Sequence, residues 1–115
     1  MLAWLHEVEG ESVYLSAVTI GELQAGIELT REQDVAKADA IEGWVDDIIE
    51  HWAILPVDTA IYRVWARLMH RRSEVLISDA MIAATALVHG FAVVTRNTRH
   101  FKDFGVPLID PFSAR

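Results

Sequence analysis

The sequence predicts an α/β protein, a three-layer α/β/α sandwich around a mostly parallel sheet, from three observations. Residues 77–89 read as a helix and residues 91–94 as a strand covered on both faces, the junction of a βαβ unit. Helical and strand-like patterns alternate along the rest of the chain. Two short apolar runs contain a proline, Pro56 and Pro107, which cannot donate to a ladder and so marks each run as a sheet edge.

Taken in order, residues 1–10 place Leu2, Leu5 and Val8 on one helical face, with Gly10 as the stop and no start signal. The expectation is a helix that begins upstream. Ser12–Val18 is rich in strand formers. Thr19-Ile20-Gly21-Glu22 matches a capping box and opens a helix to about Leu29, with Ile20, Leu23 and Ile27 inward. That box gives Glu22 a structural role, and a chemical role stands open beside it. Thr30-Arg31-Glu32-Gln33 is a second box, opening the longest helix, to about Trp52. Its stripe of Ala38, Ile41, Val45, Ile48 and Trp52 is widened by Trp44 and Ile49.

Ile54–Val57 follows as an edge strand. Asp58 or Thr59 caps a helix with Ile61, Val64, Trp65 and Leu68 inward, and Arg63, Arg67, His70, Arg71 and Arg72 populate the rest. Ser78 is placed to cap the next helix, Asp79 to sit where the helix dipole favours an anion, and Gly90 to take the left-handed C-cap. Residues 80–88 are apolar apart from Thr85, as in a helix buried on most sides. Phe91–Val94 is an inner strand, 96–104 a polar and basic loop, and 106–109 the opposite edge strand.

A chain of 115 residues makes one domain, 1–115. It has no cysteine, which excludes disulfides and thiolate metal sites and fits a reducing, cytoplasmic compartment. Neither a membrane-spanning run nor a signal-peptide pattern is present, so no membrane association is expected. The net charge is −7 but lopsided: residues 1–62 hold thirteen acids against Arg31 and Lys37, while residues 63–115 hold eight bases against four acids. That segregation fits a polyanion site on one side and a basic partner on the other, or simply solvated helix faces.

In open α/β sheets ligands bind outside the carboxyl ends of the strands. Glu22 follows the strand ending near Val18, Asn97 follows the strand ending near Thr95, and Asp79 opens the helix between, so all three fall on one rim. Clustered carboxylates there suit a hard divalent ion, Mg²⁺ or Mn²⁺, able to activate water and neutralise a phosphodiester.

The segments Ser16–Ile27, Ile54–Asp58, Ser78–Ala86 and Val93–Phe101, in this order and spacing, resemble the PIN-domain toxins of the VapC and FitB type, over nearly the whole chain. The resemblance implies an α/β/α sandwich, divalent-metal-dependent cleavage of RNA, restraint by a cognate antitoxin, and a homodimer. Glu22 and Asp79 stand at the family's second and third acidic positions and would hold the metal. Asn97 stands at the fourth, where it offers a carbonyl or forms a turn, with His100 nearby. Thr19 would help orient water, and Arg96 and Arg99 would approach RNA phosphates.

The family's opening strand, which ends in an Asp-Thr-Asn-like motif and lies at the sheet centre, has no counterpart in this sequence. The expectation is therefore a sheet lacking its central strand, within a longer native protein, a decayed remnant, or a chain completed by a neighbour. The alternative to a nuclease is a catalytically impaired PIN-like binding module that keeps its antitoxin or dimer contacts.

Overall fold

The computed structural model describes residues 3–7 and 12–111. Its elements are β1 (Trp4–Glu7), β2 (Val13–Ser16), α1 (Ala17–Arg31), α2 (Val35–His51), β3 (Ala53–Leu55), α3 (Thr59–Met69), α4 (Ile77–His89), β4 (Phe91–Val94) and β5 (Leu108–Ile109). The five strands form one sheet in the order β3-β2-β1-β4-β5. The prolines identified both edges correctly, since β3 and β5 lie at its two ends.

Two expectations about this sheet are corrected. Its central place is filled, by residues 4–7 as β1 rather than by a helix, and the sheet is mixed rather than mostly parallel. β1 runs antiparallel to both neighbours, while β2 with β3 and β4 with β5 are parallel. Leu5 faces Tyr14 on one side and Val93 on the other and is fully buried. The physical reason lies in the ladder. Without β1 the inner edges of β2 and β4 would face each other unpaired, and three apolar residues at helical spacing are too short a pattern to hold a helix against that demand. Leu2, Val8 and Gly10, on which the helical reading rested, lie outside the described residues.

The alternation along β1 builds the layers. Leu5 joins Ala80, Ile82, Ala83, Ala86 and Val93 in the main core, where α4 covers the sheet and α3 packs on α4 through Ile61, Met81 and Ala84. Trp4 points the other way and, with Leu15, meets Trp44 and Ile48 of α2, and Trp52 just beyond its end, across a cavity of about 280 Å³. There α1 and α2 share a small core of Ile27, Ala38 and Val45.

Neither capping box is used. Ser16 caps α1, its Oγ accepting from Val18 N at 3.0 Å, and Asp34 caps α2, accepting from Lys37 N at 3.0 Å. Each true cap stands a few residues from the Thr of its box, and any Ser, Thr or Asp competes for this role. Asp58 caps α3. Ser78 lies inside α4, whose start is led in by a one-turn 3₁₀ helix that Ser73 caps.

Gly90 closes α4 at φ 72, ψ 32, the left-handed region where a Cβ is penalised. Gly90→Ala is expected to lower the unfolding free energy by about 1–2 kcal/mol, measurable by urea denaturation, because no neighbouring atom would obstruct the added methyl and only the backbone strain acts.

Candidate active site

β2 and β4 both run antiparallel to β1, so they run parallel to each other and end on the same rim. α1 springs from the end of β2 and brings Glu22; the loop beyond β4 brings Asn97 and His100; α4 starts above with Asp79. Below them Thr19 is buried and donates through Oγ1 to Ala3 O at 3.3 Å, tying α1 to the segment that enters β1. That bond gives Thr19 a structural task.

With α1 capped by Ser16, Glu22 lies beyond the helix's free N–H groups and its carboxylate is left for the rim. Partial burial of that carboxyl group, and next the negative charge of Asp79, push its pKa above the ordinary 4.5, while a hydrogen bond with Ser78 opposes the rise. Ser78, excluded from capping, thus serves Glu22.

Asp79 is held from the other side. His100 Nδ1 lies 2.9 Å from its Oδ2, and Asn97 Nδ2 lies 3.0 Å from the same Nδ1. A carboxylate only accepts, so the first contact calls for a proton on Nδ1; an amide nitrogen donates, so the second calls for a lone pair. One nitrogen cannot satisfy both at once, so Asp79 and Asn97 compete for Nδ1 of His100. The loop is fixed by Asn97 N donating to Thr95 Oγ1 at 3.0 Å and by Phe101 and Phe104, both buried in the core. Arg72 adds a clamp, donating from Nη2 to Asp103 O at 3.0 Å with its guanidinium 5.0 Å from the Phe104 ring centroid.

Of the residues singled out in the sequence, Asp79 and Asn97 meet through His100, and Glu22 is close enough to feel the charge of Asp79. Arg96 and Arg99 are exposed on the same loop. The Ser78 and Arg72 roles were not foreseen: Ser78 had a capping role in view, and Arg72 acts on a residue thirty-one positions away.

Among the described residues no three His, Asp or Glu side chains group to hold a metal ion. Two carboxylates repelling each other remain a donor set that a cation relieves, and Mg²⁺ commonly binds through one or two carboxylates while keeping its waters. The residues therefore fit a weakly held hard cation and not a closed cage.

The raised Glu22 pKa carries a sign. A carboxyl group whose pKa is higher folded than unfolded contributes stability below its unfolded value, and that contribution is lost as pH rises through the folded value. In EDTA, Glu22→Gln is thus expected to melt at a higher temperature than wild type at pH 7, with the gap closing below about pH 4.5. A melting-temperature series across pH 3.5–7.5 checks it; a gap that does not change with pH would contradict it.

A family model for the PIN domain matches residues 2–106. The chain belongs to the PIN domain family. Among similar proteins, the VapC ribonuclease Y4jK of Sinorhizobium fredii is 35% identical over 118 residues, covering 97% of this chain and 84% of that protein. Toxin FitB of Neisseria gonorrhoeae is 31% identical over 121 residues, with the same two shares, 97% and 84%. The crystal structure of FitAcB from Neisseria gonorrhoeae superposes on this PIN domain with a TM-score of 0.74 at 29% identity, covering 88% of this chain and 76% of that one. A structure of VapBC2 from Rickettsia felis bound to a promoter DNA fragment shares the fold, with a TM-score of 0.62 at 16% identity over 84% of this chain and 72% of that one. No helix among the described residues is long and apolar enough to cross a membrane.

Proposed function

We propose that this PIN domain is the toxin of a toxin–antitoxin pair, a divalent-metal-dependent ribonuclease whose Glu22 and Asp79 hold Mg²⁺ or Mn²⁺ and whose substrate is RNA. The observation that carries the reading is the convergence of these two carboxylates, from α1 and α4, on the rim at the ends of β2 and β4. The relative named as a VapC ribonuclease supports the reaction class, and the likeness to toxin FitB and to the FitAcB structure supports an antitoxin partner.

The ion supplies a Lewis acid for the phosphodiester and a water acidic enough to attack at neutral pH. Glu22 and Asp79 supply the negative charge that places it. His100, itself contacted by Asn97, orients the Asp79 carboxylate through Oδ2, and Oδ1 would remain for a cation. Arg96 and Arg99 attract the RNA backbone by charge, so binding weakens as salt rises. The protein acts in the cytoplasm, as a homodimer, under the control of its antitoxin.

The test is cleavage of a mixed RNA pool with Mn²⁺ or with EDTA, in parallel with calorimetric titration of Mn²⁺. One observation favours a second reading, a binding module without catalysis: among the described residues only two acids gather where a tighter site would have more. Cutting that needs the ion supports the nuclease; absence of both ion binding and cutting supports the module.

A further inference from the structure

α3 carries a basic face that the site described above leaves unused. Arg63 and Arg67 stand one turn apart on it, His70 and Arg71 follow in the turn beyond, and all four are exposed. No acid occurs between Asp58 and Glu74. Among the described residues no ion pair involves Arg63, Arg67 or Arg71, whereas Arg31 on the opposite layer is taken up by Glu28, Asp39 and Glu42. Tyr62, also exposed, lies beside Arg63 with its ring edge-on to Trp65.

The end of α3 is fastened to both halves of the site. Trp65 Nε1 donates to Ile77 O at 3.2 Å, two residues before Asp79. Arg72 is fixed to Asp103 and Phe104, in the loop that carries Asn97 and His100. Arg72 is thereby committed to the fold, and Arg63, Arg67 and Arg71 are left as cations leading up to the rim.

We propose that this face of α3 binds the phosphates of single-stranded RNA flanking the bond to be cut, with Tyr62 as a stacking surface for a base. The inference rests on the nuclease reading and adds a substrate track to it. Arginines four apart advance about 6 Å along a helix, so successive side chains address separate phosphates, and the guanidinium fork matches phosphate geometry. An exposed tyrosine next to arginines is the pairing that sequence-tolerant single-strand binders use. The acidic first half of the chain repels a polyanion, which leaves this layer as its approach. An acidic protein segment would meet the arginines equally well, but it brings no base to stack on Tyr62.

Fluorescence anisotropy decides it, with a 2′-O-methyl oligouridine in EDTA, so that no metal-dependent cutting occurs, across a range of salt. Arg63→Gln/Arg67→Gln is expected to bind about tenfold more weakly near 0.1 M salt, and to reduce the slope of log affinity against log salt by about 1.4, two phosphates' worth for a single strand. Arg63→Lys/Arg67→Lys keeps the slope, and Lys37→Gln on α2 changes neither. A polyglutamate of equal charge binds far more weakly than the oligouridine. The exchanged residues are exposed and unpaired, so melting curves of the variants overlay that of wild type. Equal slopes for wild type and the Gln variant would overturn the track while leaving a nuclease that still cuts RNA; polyglutamate binding as tightly would overturn it in favour of an acidic protein partner. If wild type neither binds nor cuts RNA, the nuclease reading falls with it.

Discussion

Asp79→Asn is expected to lower metal-dependent RNA cleavage by at least about a hundredfold, the scale on which loss of one group aimed at developing charge is felt. The substitution keeps the size and the hydrogen-bonding reach of the side chain while removing its charge, so His100 keeps a partner and α4 keeps its start. What disappears is half of the negative charge that places the ion. Glu22→Gln should fall by a similar factor for the same reason. His100→Ala leaves both carboxylates and is expected to cost only about tenfold, as for a group that orients a metal ligand from outside. Cleavage rates at saturating Mn²⁺, with calorimetric Mn²⁺ affinities for each variant, separate the cases. Unchanged cleavage in Asp79→Asn would remove this residue from the chemistry, whatever its position.

The largest effect on stability is expected at Leu5. Truncating a fully buried leucine of the central strand to alanine should lower the unfolding free energy by about 2–5 kcal/mol, a large share of the roughly 5–15 kcal/mol that holds a domain together. Leu5→Pro would go further, since proline cannot donate to a ladder and β1 is bonded on both flanks. Leu29→Ala, at an exposed site, is the control and should stay within about 0.5 kcal/mol. Denaturant midpoints report all three. A Leu5→Ala protein as stable as wild type would mean that residues 4–7 do not form the middle of the sheet.

The parts of this fold that could be read in the sequence are those where one physical demand dominates. Pro56 and Pro107 forbid an inner position, Gly90 permits a backbone others resist, and the apolar run of α4 has nowhere to go but the core. The misread parts are those where demands compete. Thr19 and Thr30 satisfy the capping pattern, yet Ser16 and Asp34 stand close by and the helices start there instead. Leu2, Leu5 and Val8 keep helical spacing, yet the strand edges on either side claim Leu5. For the site, the rule that strand ends gather functional groups placed Glu22, Asp79 and Asn97 on one rim. The grip of His100 on Asp79 was out of reach, because it depends on how the loop beyond β4, which winds into one 3₁₀ turn over Thr98–His100, directs a side chain across to another element.

The register that sets Trp4 against Val94 has a consequence for how the protein is made. These partners are ninety positions apart, and a ribosome adding about 5–20 residues per second needs several seconds to cover that distance. Throughout that interval β2 can gain β3 but the flank of β1 that β4 covers stays open, and such non-local pairing is slow to close even once both strands exist. Asp79, Asn97 and His100 all emerge in the same late stretch. The rim therefore cannot assemble on a nascent chain until residues as late as His100 have been translated, so whatever chemistry it carries is withheld while most of the chain is still being made.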